Sequence, residues 1–372
     1  MLGFQRGEFR CMKKILILAN NDVGLYKFRK ELIEELVNRG NEVYISLPYG
    51  ELVQSLIDIG CIFIDTDVDR RGINPITDFK LLIRYFMIFK SVKPDMVIIY
   101  TIKPNIYGGI VSRIKNIPFA VNITGLGTAF QNDGFLKRLI ILLYKISCKK
   151  AKVVFFENEE NQKMFISNRI VRQENTCKLN GAGINLEEYR FCNYPECNGE
   201  IHFLYLGRIM KEKGVDELFE AAKMIKNEYS NVFFHVVGPL EDDYKYVIAQ
   251  LEKQNIINYY GYQKDVKPFI KKSHCCILPS YHEGMANTLL ECGAMGRPLI
   301  TSNIHGCKEA IVNGQSGYLV KVKDSIDLQE KILKFILLLY EDKRIMGYKS
   351  RNHIEKLFDK VKIVDSIIKR LF

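Results

Sequence analysis

The sequence has no tryptophan, no pair of cysteines in a CxxC spacing, and no apolar run that approaches the length of a membrane span. A transmembrane helix needs about 20 consecutive apolar residues, so the sequence argues against a membrane-spanning protein. Residues 1–11 also lack the apolar core of a secretory signal. We expect them to be an extension upstream of a fold that begins at Met12.

Cysteine and histidine are too sparsely placed to predict a zinc site. The ten cysteines are scattered, and Cys192 and Cys197 have no second pair or nearby histidine to complete four ligands. We therefore expect free thiols in a cytoplasmic protein, where cysteine serves as a small apolar side chain. No histidine precedes His202, which excludes histidine chemistry from the first half of the chain.

Length and charge indicate two domains and an anionic partner. A chain of 372 residues is too long for one ordinary core. The net charge of +11 is concentrated in residues 1–180, which carry +9, whereas the remainder carries +2. Such asymmetry predicts that the first half meets a membrane surface or nucleic acid. Nucleic acid is not expected, because the chain has no RNP-type aromatic motif, zinc finger or basic recognition helix.

Buried strands alternate with amphipathic helices through residues 12–190, which is typical of an α/β domain with a parallel sheet. The strand KILILA (14–19) is followed by Gly24, which we expect just before the next helix, where backbone can approach a phosphate, although a plain turn is an equal alternative. The strand MVIIY (96–100) leads to Lys103. This lysine can meet an anionic acceptor group or stay a solvated loop residue, and the sequence favours neither.

Asp65, Asp67 and Asp69 form a superficial DxD metal motif. Their oxygens would have to converge on one ion with octahedral room. Arg70 and Arg71 follow directly and can neutralise them. We prefer a solvated charged loop and predict no metal site.

Two helices of the first half, at 75–92 and 134–152, mix cationic with apolar residues. A basic amphipathic helix can lie on an anionic membrane, where each lysine or arginine adds ~1 kcal/mol. The alternative is an ordinary helix packed on the sheet with a solvated basic face. Together with the charge asymmetry, these helices favour membrane docking. The cations of the second helix are Lys137, Arg138, Lys145, Lys149, Lys150 and Lys152.

The second domain is predicted at residues 200–353. Its first strand, IHFLYLGR (201–208), ends at Arg208, and Lys213 follows on the same strand-to-helix connection. An arginine fork and a lysine point charge on one connection can together bind a diphosphate. The alternative is two unrelated surface cations.

The stretch CCILPSYHEGMANTLLECGAMGRPLITS (275–302) predicts a strand, a loop, a helix and a second strand. Glu283 lies in the loop, where parallel sheets bind ligands. Asn287 and Thr288 can cap the helix, whose first N–H groups would then face an anion. Glu291 lies about one turn further, where it can accept two hydrogen bonds from a diol such as a ribose. The alternative is two glutamates without a ligand.

These second-half motifs resemble those of the retaining nucleotide-sugar glycosyltransferases of the GT-B fold, family 4. Glu283 and Glu291 match the two glutamates of the E-x7-E signature, and GR-x4-KG resembles the family's paired basic motif. The resemblance implies that Arg208, Lys213 and Glu283 are catalytic. It implies a donor site made of Gly24, Tyr262, Gln263, Gly284, Met285, Ala286, Asn287 and Glu291. Of these, Tyr262 and Gln263 would hold the nucleobase through their backbone.

One part of the family pattern is missing. Many members have a first-domain histidine on the donor sugar, near the segment NITGLGTAF (122–130), and this chain has none there. Asn122 and Thr124 are the candidates to substitute for it. With Lys103 they complete the expected acceptor side.

The resemblance implies two Rossmann-like domains facing a central cleft, with a terminal helix (354–372) returning to the first domain. The implied activity is retaining transfer of a hexosyl or N-acetylhexosaminyl group from a UDP-sugar to a polyprenyl-diphosphate-linked glycan, as in capsule or O-antigen synthesis. No cofactor is expected, and the enzyme would be peripheral on the inner face of the bacterial plasma membrane. The alternatives are a sugar-nucleotide epimerase or hydrolase, or a non-catalytic basic protein that binds lipid or RNA.

Overall fold

The computed structural model describes residues 12–69, 74–125, 134–196, 198–241 and 244–372. Residues 1–11, Arg70, Arg71, Cys197 and most of the NITGLGTAF segment lie outside the described residues. The chain forms two compact units: unit 1 ends at Ala182 and also contains Val361–Phe372, whereas unit 2 is Gly183–Lys360. Residues 183–190, expected in the first domain, therefore belong to unit 2.

Unit 1 is built on a parallel sheet in the order β3-β2-β1-β4-β5-β6-β7. Its strands are β1 (Lys14–Leu18), β2 (Glu42–Leu47), β3 (Ile62–Asp65), β4 (Met96–Tyr100), β5 (Phe119–Ile123), β6 (Val153–Phe156) and β7 (Thr176–Lys178). Its helices are α1 (Asp22–Asn38), α2 (Val53–Asp58), α3 (Pro75–Val92), α4 (Ile102–Lys115), α5 (Phe135–Cys148) and α6 (Glu159–Ser167). Pro75 opens α3 as predicted, and the Asn74 side chain accepts from Ile76 N.

The apolar runs of the sequence are strands buried on both faces. Along β1, Ile15 and Ile17 pack into one core and Leu16 and Leu18 into the other. This two-sided burial explains why the run KILILA does not alternate with polar residues. Helix α4 packs between α3 and α5 against the second core.

Unit 2 is built on a second parallel sheet, in the order β10-β9-β8-β11-β12-β13. Its strands are β8 (Ile201–Leu206), β9 (Val232–Val237), β10 (Asn258–Tyr259), β11 (Cys275–Leu278), β12 (Leu299–Ser302) and β13 (Gly317–Val320). Its helices are α7 (Val215–Glu228), α8 (Lys245–Lys253), α9 (Lys267–Lys272), α10 (Asn287–Ala294), α11 (Ser325–Ile336) and α12 (Tyr340–Phe358).

The chain returns to unit 1 through its last helix, α13 (Lys360–Leu371). The predicted terminal segment, 354–372, covers the end of α12 as well as α13, and the two helices are separated at Asp359. The apolar side of α13, which includes Ile363, Ile367 and Leu371, is buried in the first core of unit 1.

Each sheet has a topological switch point, where the strand order reverses direction. In unit 1 it lies between β1 and β4, and in unit 2 between β8 and β11. Ligands of open parallel sheets bind outside the carboxyl ends of the strands at this point. In unit 2 the relevant loops are therefore 207–214, after β8, and 279–286, after β11. These two loops carry Arg208, Lys213 and Glu283.

Three histidines form a ladder across the sheet of unit 2. His202 Nδ1 lies 3.0 Å from His235 Nε2, and the His202 backbone N–H donates to His274 Nδ1 at 3.1 Å. The Tyr260 hydroxyl lies within hydrogen-bond distance of His235 Nδ1, at 2.9 Å. Burial lowers the pKa of His235 and of His274 to about 4, and the neighbouring His202 adds to the effect. Both imidazoles are therefore neutral in the folded protein near neutral pH.

The ladder predicts that acid destabilises unit 2. A histidine in the unfolded chain has a pKa of about 6.5 and is protonated below that pH. In the folded protein His235 and His274 stay neutral down to about pH 4, so acid favours the unfolded state. The free energy of unfolding should fall by roughly 2 kcal/mol per histidine between about pH 7.5 and about pH 5. Urea unfolding at the two pH values measures this loss. The variant His274→Asn, whose amide oxygen can still accept from His202 N, should lose about half of the pH dependence, and an unchanged dependence would contradict the prediction.

No helix in the described part of the chain is both long enough and apolar enough to span a bilayer. Within the same residues, no cluster of three or more histidine, cysteine, aspartate or glutamate side chains is arranged to hold a metal ion. Of the DxD aspartates, Asp65 accepts from Tyr49 N, and Asp69 lies 3.9 Å from Lys103 Nζ.

Candidate active site

The loop after β8 is hydrogen-bonded on both sides to loops from neighbouring strands. On one side, Ile209 N donates to Pro239 O at 2.8 Å, in the loop after β9. On the other side, Tyr281 N donates to Glu212 O at 2.8 Å, in the loop after β11. These bonds fix the loop, which carries both Arg208 and Lys213, at the switch point of unit 2.

Gly214 allows the loops after β8 and β11 to approach closely. Its backbone has φ +69, and a Cβ at this position would lie 2.0 Å from the carbonyl oxygen of Pro279. Any side chain would therefore push the two loops apart, in addition to straining the left-handed backbone. The glycine of the GR-x4-KG motif thus has a geometric reason: it brings Lys213 against the Glu283 loop.

Lys213 and Glu283 form an ion pair across this contact. The distance from Lys213 Nζ to Glu283 Oε1 is 2.6 Å, and the side chains are only 17% and 12% exposed. Neither charge is well hydrated there, so each compensates the other's lost hydration. An ammonium has three N–H donors, so Lys213 can hold Glu283 and still donate to an anion. The structure therefore brings together two residues that the sequence placed 70 positions apart.

Arg208 has a different partner. Its Nη1 donates to Glu241 Oε2 at 2.8 Å, and these side chains are 50% and 41% exposed. An ion pair this exposed contributes at most about 1 kcal/mol, so an incoming anion can replace Glu241 at small cost. Glu241 follows β9, and the sequence analysis missed it because no local motif marks it.

The buried side chain of Tyr205 is hydrogen-bonded to the backbone of Arg208. Its hydroxyl donates to Arg208 O at 2.7 Å. Burial raises the pKa of Tyr205 well above its ordinary value, the charge of Glu283 adds to this, and Arg208 opposes it. The phenol therefore remains a neutral donor that fixes the direction of the loop. This residue was also missed, since it lies within the predicted strand IHFLYLGR.

The start of α10 differs from the prediction. Ala286 is the N-cap, it provides no side-chain hydrogen bond, and Asn287 is already the first helical residue. The predicted capping by Asn287 and Thr288 is therefore wrong. The Ala286 N–H donates to Gly306 O at 2.8 Å, while Leu289 N donates to Ala286 O. The first N–H groups of a helix have no acceptor within the helix, so those of Asn287 and Thr288 are available to an anion over the loop.

The Glu283 turn is braced by the loop after β12. Gly306 has φ +83, and a Cβ there would lie 2.7 Å from the carbonyl oxygens of both Glu283 and Gly284. Glu309 holds this glycine in place, since Gly306 N donates to Glu309 Oε2 at 2.8 Å. The other carboxylate oxygen lies 3.2 Å from His305 Nδ1. In the sequence, Gly306 and Glu309 are marked only by following an apolar run that ends a predicted strand.

The other donor-site residues predicted in the Glu283 loop and on α10 differ in which of their groups can face a ligand. Met285 and Ala286 are buried in the core, so only their backbone can face a ligand. Glu291 lies on α10, close enough to Tyr189 to affect its ionisation, and the sequence did not predict this neighbour. Burial raises the pKa of Tyr189, and the charge of Glu291 adds to this, so the phenol stays neutral beside the carboxylate.

Tyr262 and Gln263 lie beyond β10, at the same edge of the sheet as the other loops. Tyr262 is exposed, and the Gln263 side-chain amide donates to Tyr260 O at 2.7 Å. The segment is tied to the loop after β9, because Gly238 N donates to Gly261 O at 2.9 Å. Their backbone is thus held in a defined position.

In unit 1, Gly24 does not lie where the sequence placed it. Helix α1 already begins at Asp22, with Asn21 as its N-cap, so the prediction that Gly24 precedes the helix is wrong. The Gly24 N–H donates to the Asn21 side chain at 2.6 Å. That N–H is therefore already satisfied, and a phosphate contact would have to use neighbouring groups.

Lys103 is in the first turn of α4 and is largely buried. Its Nζ lies 2.7 Å from Asp78 Oδ1, and the Tyr107 hydroxyl donates to Asp78 Oδ2 at 2.9 Å. Lys103 is therefore not a solvated loop residue, because its side chain is only 15% exposed and its charge is paired with Asp78. Its contact with an anionic acceptor group stays a prediction. Thr101, the N-cap residue of α4, has φ 71, which is rare for a β-branched residue.

Asn122 faces the interior of unit 1. The side chain is buried, and its Nδ2 donates to Ile99 O at 3.1 Å. The backbone carbonyl of Asn122 accepts from the Asn105 side chain. Its predicted contact with a sugar is therefore wrong, because the amide links β5 to β4. Thr124 directly follows β5 and is partly exposed, so it is the better placed of the two.

Comparison with known families and proteins matches both halves of the chain. Residues 14–158 match the family described as glycosyl transferase 4-like, and residues 193–353 match glycosyl transferases group 1. The chain is 29% identical over 349 residues to N,N'-diacetylbacillosaminyl-diphospho-undecaprenol alpha-1,3-N-acetylgalactosaminyltransferase of Campylobacter jejuni, covering 89% of this chain and 90% of the relative. It is 28% identical over 323 residues to UDP-Gal:alpha-D-GlcNAc-diphosphoundecaprenol alpha-1,3-galactosyltransferase of Escherichia coli, covering 80% of each.

Solved structures of the same fold include a glycosyltransferase and a protein in complex with UDP-glucose. A glycosyltransferase from Rickettsia africae superposes with a TM-score of 0.82 at 20% identity, covering 96% of this chain and 97% of that one. HepE of Anabaena, solved in complex with UDP-glucose, superposes with a TM-score of 0.76 at 17% identity, covering 96% and 99%. At such identities these structures establish a shared GT-B fold, with its two Rossmann-like sheets.

Proposed function

The chain belongs to the group 1 glycosyl transferases, with a first half of the glycosyl transferase 4-like family, and from this premise we propose that it transfers a sugar from a UDP-sugar to a lipid-linked glycan. The relatives named above act on saccharides carried on undecaprenyl diphosphate. Their similarity over most of both chains supports an acceptor of this class, in the synthesis of a bacterial surface polysaccharide.

The contact between Lys213 and Glu283 carries the proposal for the donor site. It joins the two loops at the switch point of unit 2, next to the first N–H groups of α10. A UDP-sugar presents a diphosphate and a neutral sugar, and this arrangement offers a cation and helix amides for the former and a carboxylate for the latter.

The charges of these groups suit the departure of UDP. When the bond between sugar and phosphate breaks, negative charge grows on the diphosphate and positive character on the sugar. Arg208, Lys213 and the start of α10 would stabilise the diphosphate by preorganised electrostatics. Glu283, held by Lys213, would accept hydrogen bonds from sugar hydroxyls, and Lys213 would shield it from the phosphates. Retention of configuration would then follow from attack on the face that the diphosphate leaves.

The acceptor side is proposed for unit 1, at the carboxyl edge near Thr124. Its outer helices would place the enzyme on the inner face of the plasma membrane, where an anionic surface meets a lipid-linked acceptor. On α3, exposed Ile76, Phe79 and Met87 lie beside Lys80 and Arg84. Helix α5 repeats this combination with Leu139, Leu142, Arg138 and Lys145. Exposed apolar residues beside cations are typical of interfacial helices.

Product analysis tests the proposed transfer. The protein is incubated with several UDP-sugars, each with and without a synthetic undecaprenyl-diphosphate-linked sugar, and the lipid is extracted for mass spectrometry and NMR. We expect the lipid to gain one hexosyl or N-acetylhexosaminyl group in α configuration, and the donor to be stable without acceptor. Consumption or isomerisation of the donor at the same rate without acceptor would instead indicate a hydrolase or an epimerase.

The ion pair of Arg208 predicts an effect of Glu241 on donor binding. In the variant Glu241→Gln the competing charge is removed, whereas an oxygen that can accept from Arg208 remains. We expect the donor to bind about two- to fivefold more tightly, because the exposed pair that it must replace is worth at most ~1 kcal/mol. Titration with a UDP-sugar by calorimetry measures the change, with Glu341→Gln, on the exposed pair with Arg344, as the control. Weaker binding in Glu241→Gln would show that Glu241 positions Arg208 rather than competing for it.

A further inference from the structure

A basic hollow lies at the amino-terminal edge of the sheet of unit 1. It has a volume of about 480 Å³ and is formed by the end of α4, the turn into β5 and the residues before β6. Arg113, Lys150 and Lys152 contribute its three cations. Among the described residues that line it, none is acidic.

Neutral oxygens hold these cations in place. Arg113 Nη1 donates to Ile146 O at 3.0 Å, and Lys150 Nζ donates to Asn116 Oδ1 at 3.3 Å. Lys152 Nζ donates to Leu371 O at 2.9 Å, at the end of α13. A guanidinium has five N–H donors and an ammonium three, so each cation can also serve a ligand. A helix end offsets about half a charge, so the hollow stays positive beside the ends of α4, α5 and α13.

Exposed apolar side chains lie on α4 and α5 close in sequence to residues that line the hollow or hold its cations. Ile114, next to Arg113 on α4, is 61% exposed. Ile146, whose carbonyl binds Arg113, is 39% exposed, and Leu142, one turn earlier on α5, is 53% exposed. A free phosphate would use the cations and leave these side chains in water. An anion attached to an acyl chain would use both.

We propose that this hollow binds the phosphate group of an anionic membrane lipid, with the acyl chains against the exposed ends of α4 and α5. The proposal rests on the membrane contact of the proposed function and gives it a discrete headgroup site. The hollow is separate from the acceptor edge, because β5 and β6 are four to five residues long and a strand rises about 3.3 Å per residue.

Lysine acetylation of the whole protein, followed by mass spectrometry, tests the site. Short-chain phosphatidylglycerol is used as dissolved monomers, so that no charged surface is present, and inorganic phosphate is compared at equal ionic strength. We expect the lipid to protect Lys150 and Lys152 severalfold. Lys80, exposed on α3, and Lys349, exposed on α12 of unit 2, serve as controls and should react as before. Equal protection of all four lysines, or none, overturns the proposal. Full protection by phosphate alone identifies a site for the free anion and overturns the assignment to lipid.

Vesicle binding tests whether the hollow takes part in the membrane contact. Lys150→Glu should weaken binding to phosphatidylglycerol vesicles about thirtyfold, as expected for reversing one charge at an anionic surface, whereas Lys349→Glu should bind like the wild type. Equal behaviour of the two variants overturns the proposal. Transfer in detergent, with the lipid-linked acceptor, reports the proposed function independently. We expect Lys150→Glu to retain it, and loss of that activity would assign Lys150 to the reaction instead.

Discussion

Replacing Lys213 by alanine should lower the turnover number at least a hundredfold. The ammonium is the only side-chain cation of the described residues that is within hydrogen-bond distance of Glu283, and it would face the diphosphate as negative charge develops there. Removing one preorganised electrostatic contact of this kind typically costs about 10²–10³ in rate. The measurement is the initial rate at saturating donor and acceptor, with thermal unfolding of the same samples.

Stability must be separated from chemistry in this variant. Lys213→Ala leaves the Glu283 carboxylate largely buried without its partner, and breaking such a pair can cost about 3–5 kcal/mol. The double variant Lys213→Met, Glu283→Gln removes both charges and should recover much of that stability without recovering activity. If the double variant is stable and turns over at a near-normal rate, the phosphate role of Lys213 is refuted.

Arg208→Ala provides the comparison on the same loop. We expect a loss of more than tenfold in turnover with almost no change in the unfolding midpoint, because its pair with Glu241 is about half exposed. Arg344→Ala removes an arginine from a similarly exposed pair and should change neither quantity. A normal rate for Arg208→Ala would mean that the diphosphate is held by Lys213 and the helix amides alone.

The two-sheet fold could be predicted because its signals are local. A strand buried on both faces is a continuous apolar run, and a helix on its surface repeats every three to four residues, so KILILA and MVIIY are informative without any knowledge of their neighbours. The order of the strands is not local, but the connections between parallel strands restrict it strongly. Arg208, Lys213 and Glu283 could be proposed as one site for this reason.

The contacts that complete the site could not be predicted, because they join loops that are distant in sequence. Glu241, in the loop after β9, pairs with Arg208, in the loop after β8. Gly306, in the loop after β12, packs against the backbone of the Glu283 turn. The error at Asn122 has the same origin. A polar residue in a strand can point to the sheet interior or to its edge, and only its hydrogen bond to Ile99 shows which.

The largest loss of stability is expected at Arg297, which precedes β12 in the sequence Gly296-Arg297-Pro298 and belongs to no predicted site. Arg297 is completely buried. Its guanidinium donates to the carbonyl oxygens of Cys192, Asn193, Ile270, Lys271 and Gly296. Burial lowers its pKa, yet the group remains charged, because an arginine pKa begins far above neutral pH. Two of the carbonyls lie in the last turn of α9, and the negative end of that helix helps to offset the charge.

Arg297→Met should therefore lower the free energy of unfolding of unit 2 by at least about 4 kcal/mol. Methionine fills similar space but leaves several buried carbonyl groups without donors, at about 1–3 kcal/mol each. Arg297→Lys keeps the charge and loses the planar fork, so it should lose less and serve as the measurable variant if methionine prevents folding. Urea unfolding gives both values, with Lys272→Met, at an exposed neighbour, as the control. A loss below about 1 kcal/mol for Arg297→Met would mean that water replaces the guanidinium, since a buried carbonyl that finds a water donor avoids most of its penalty.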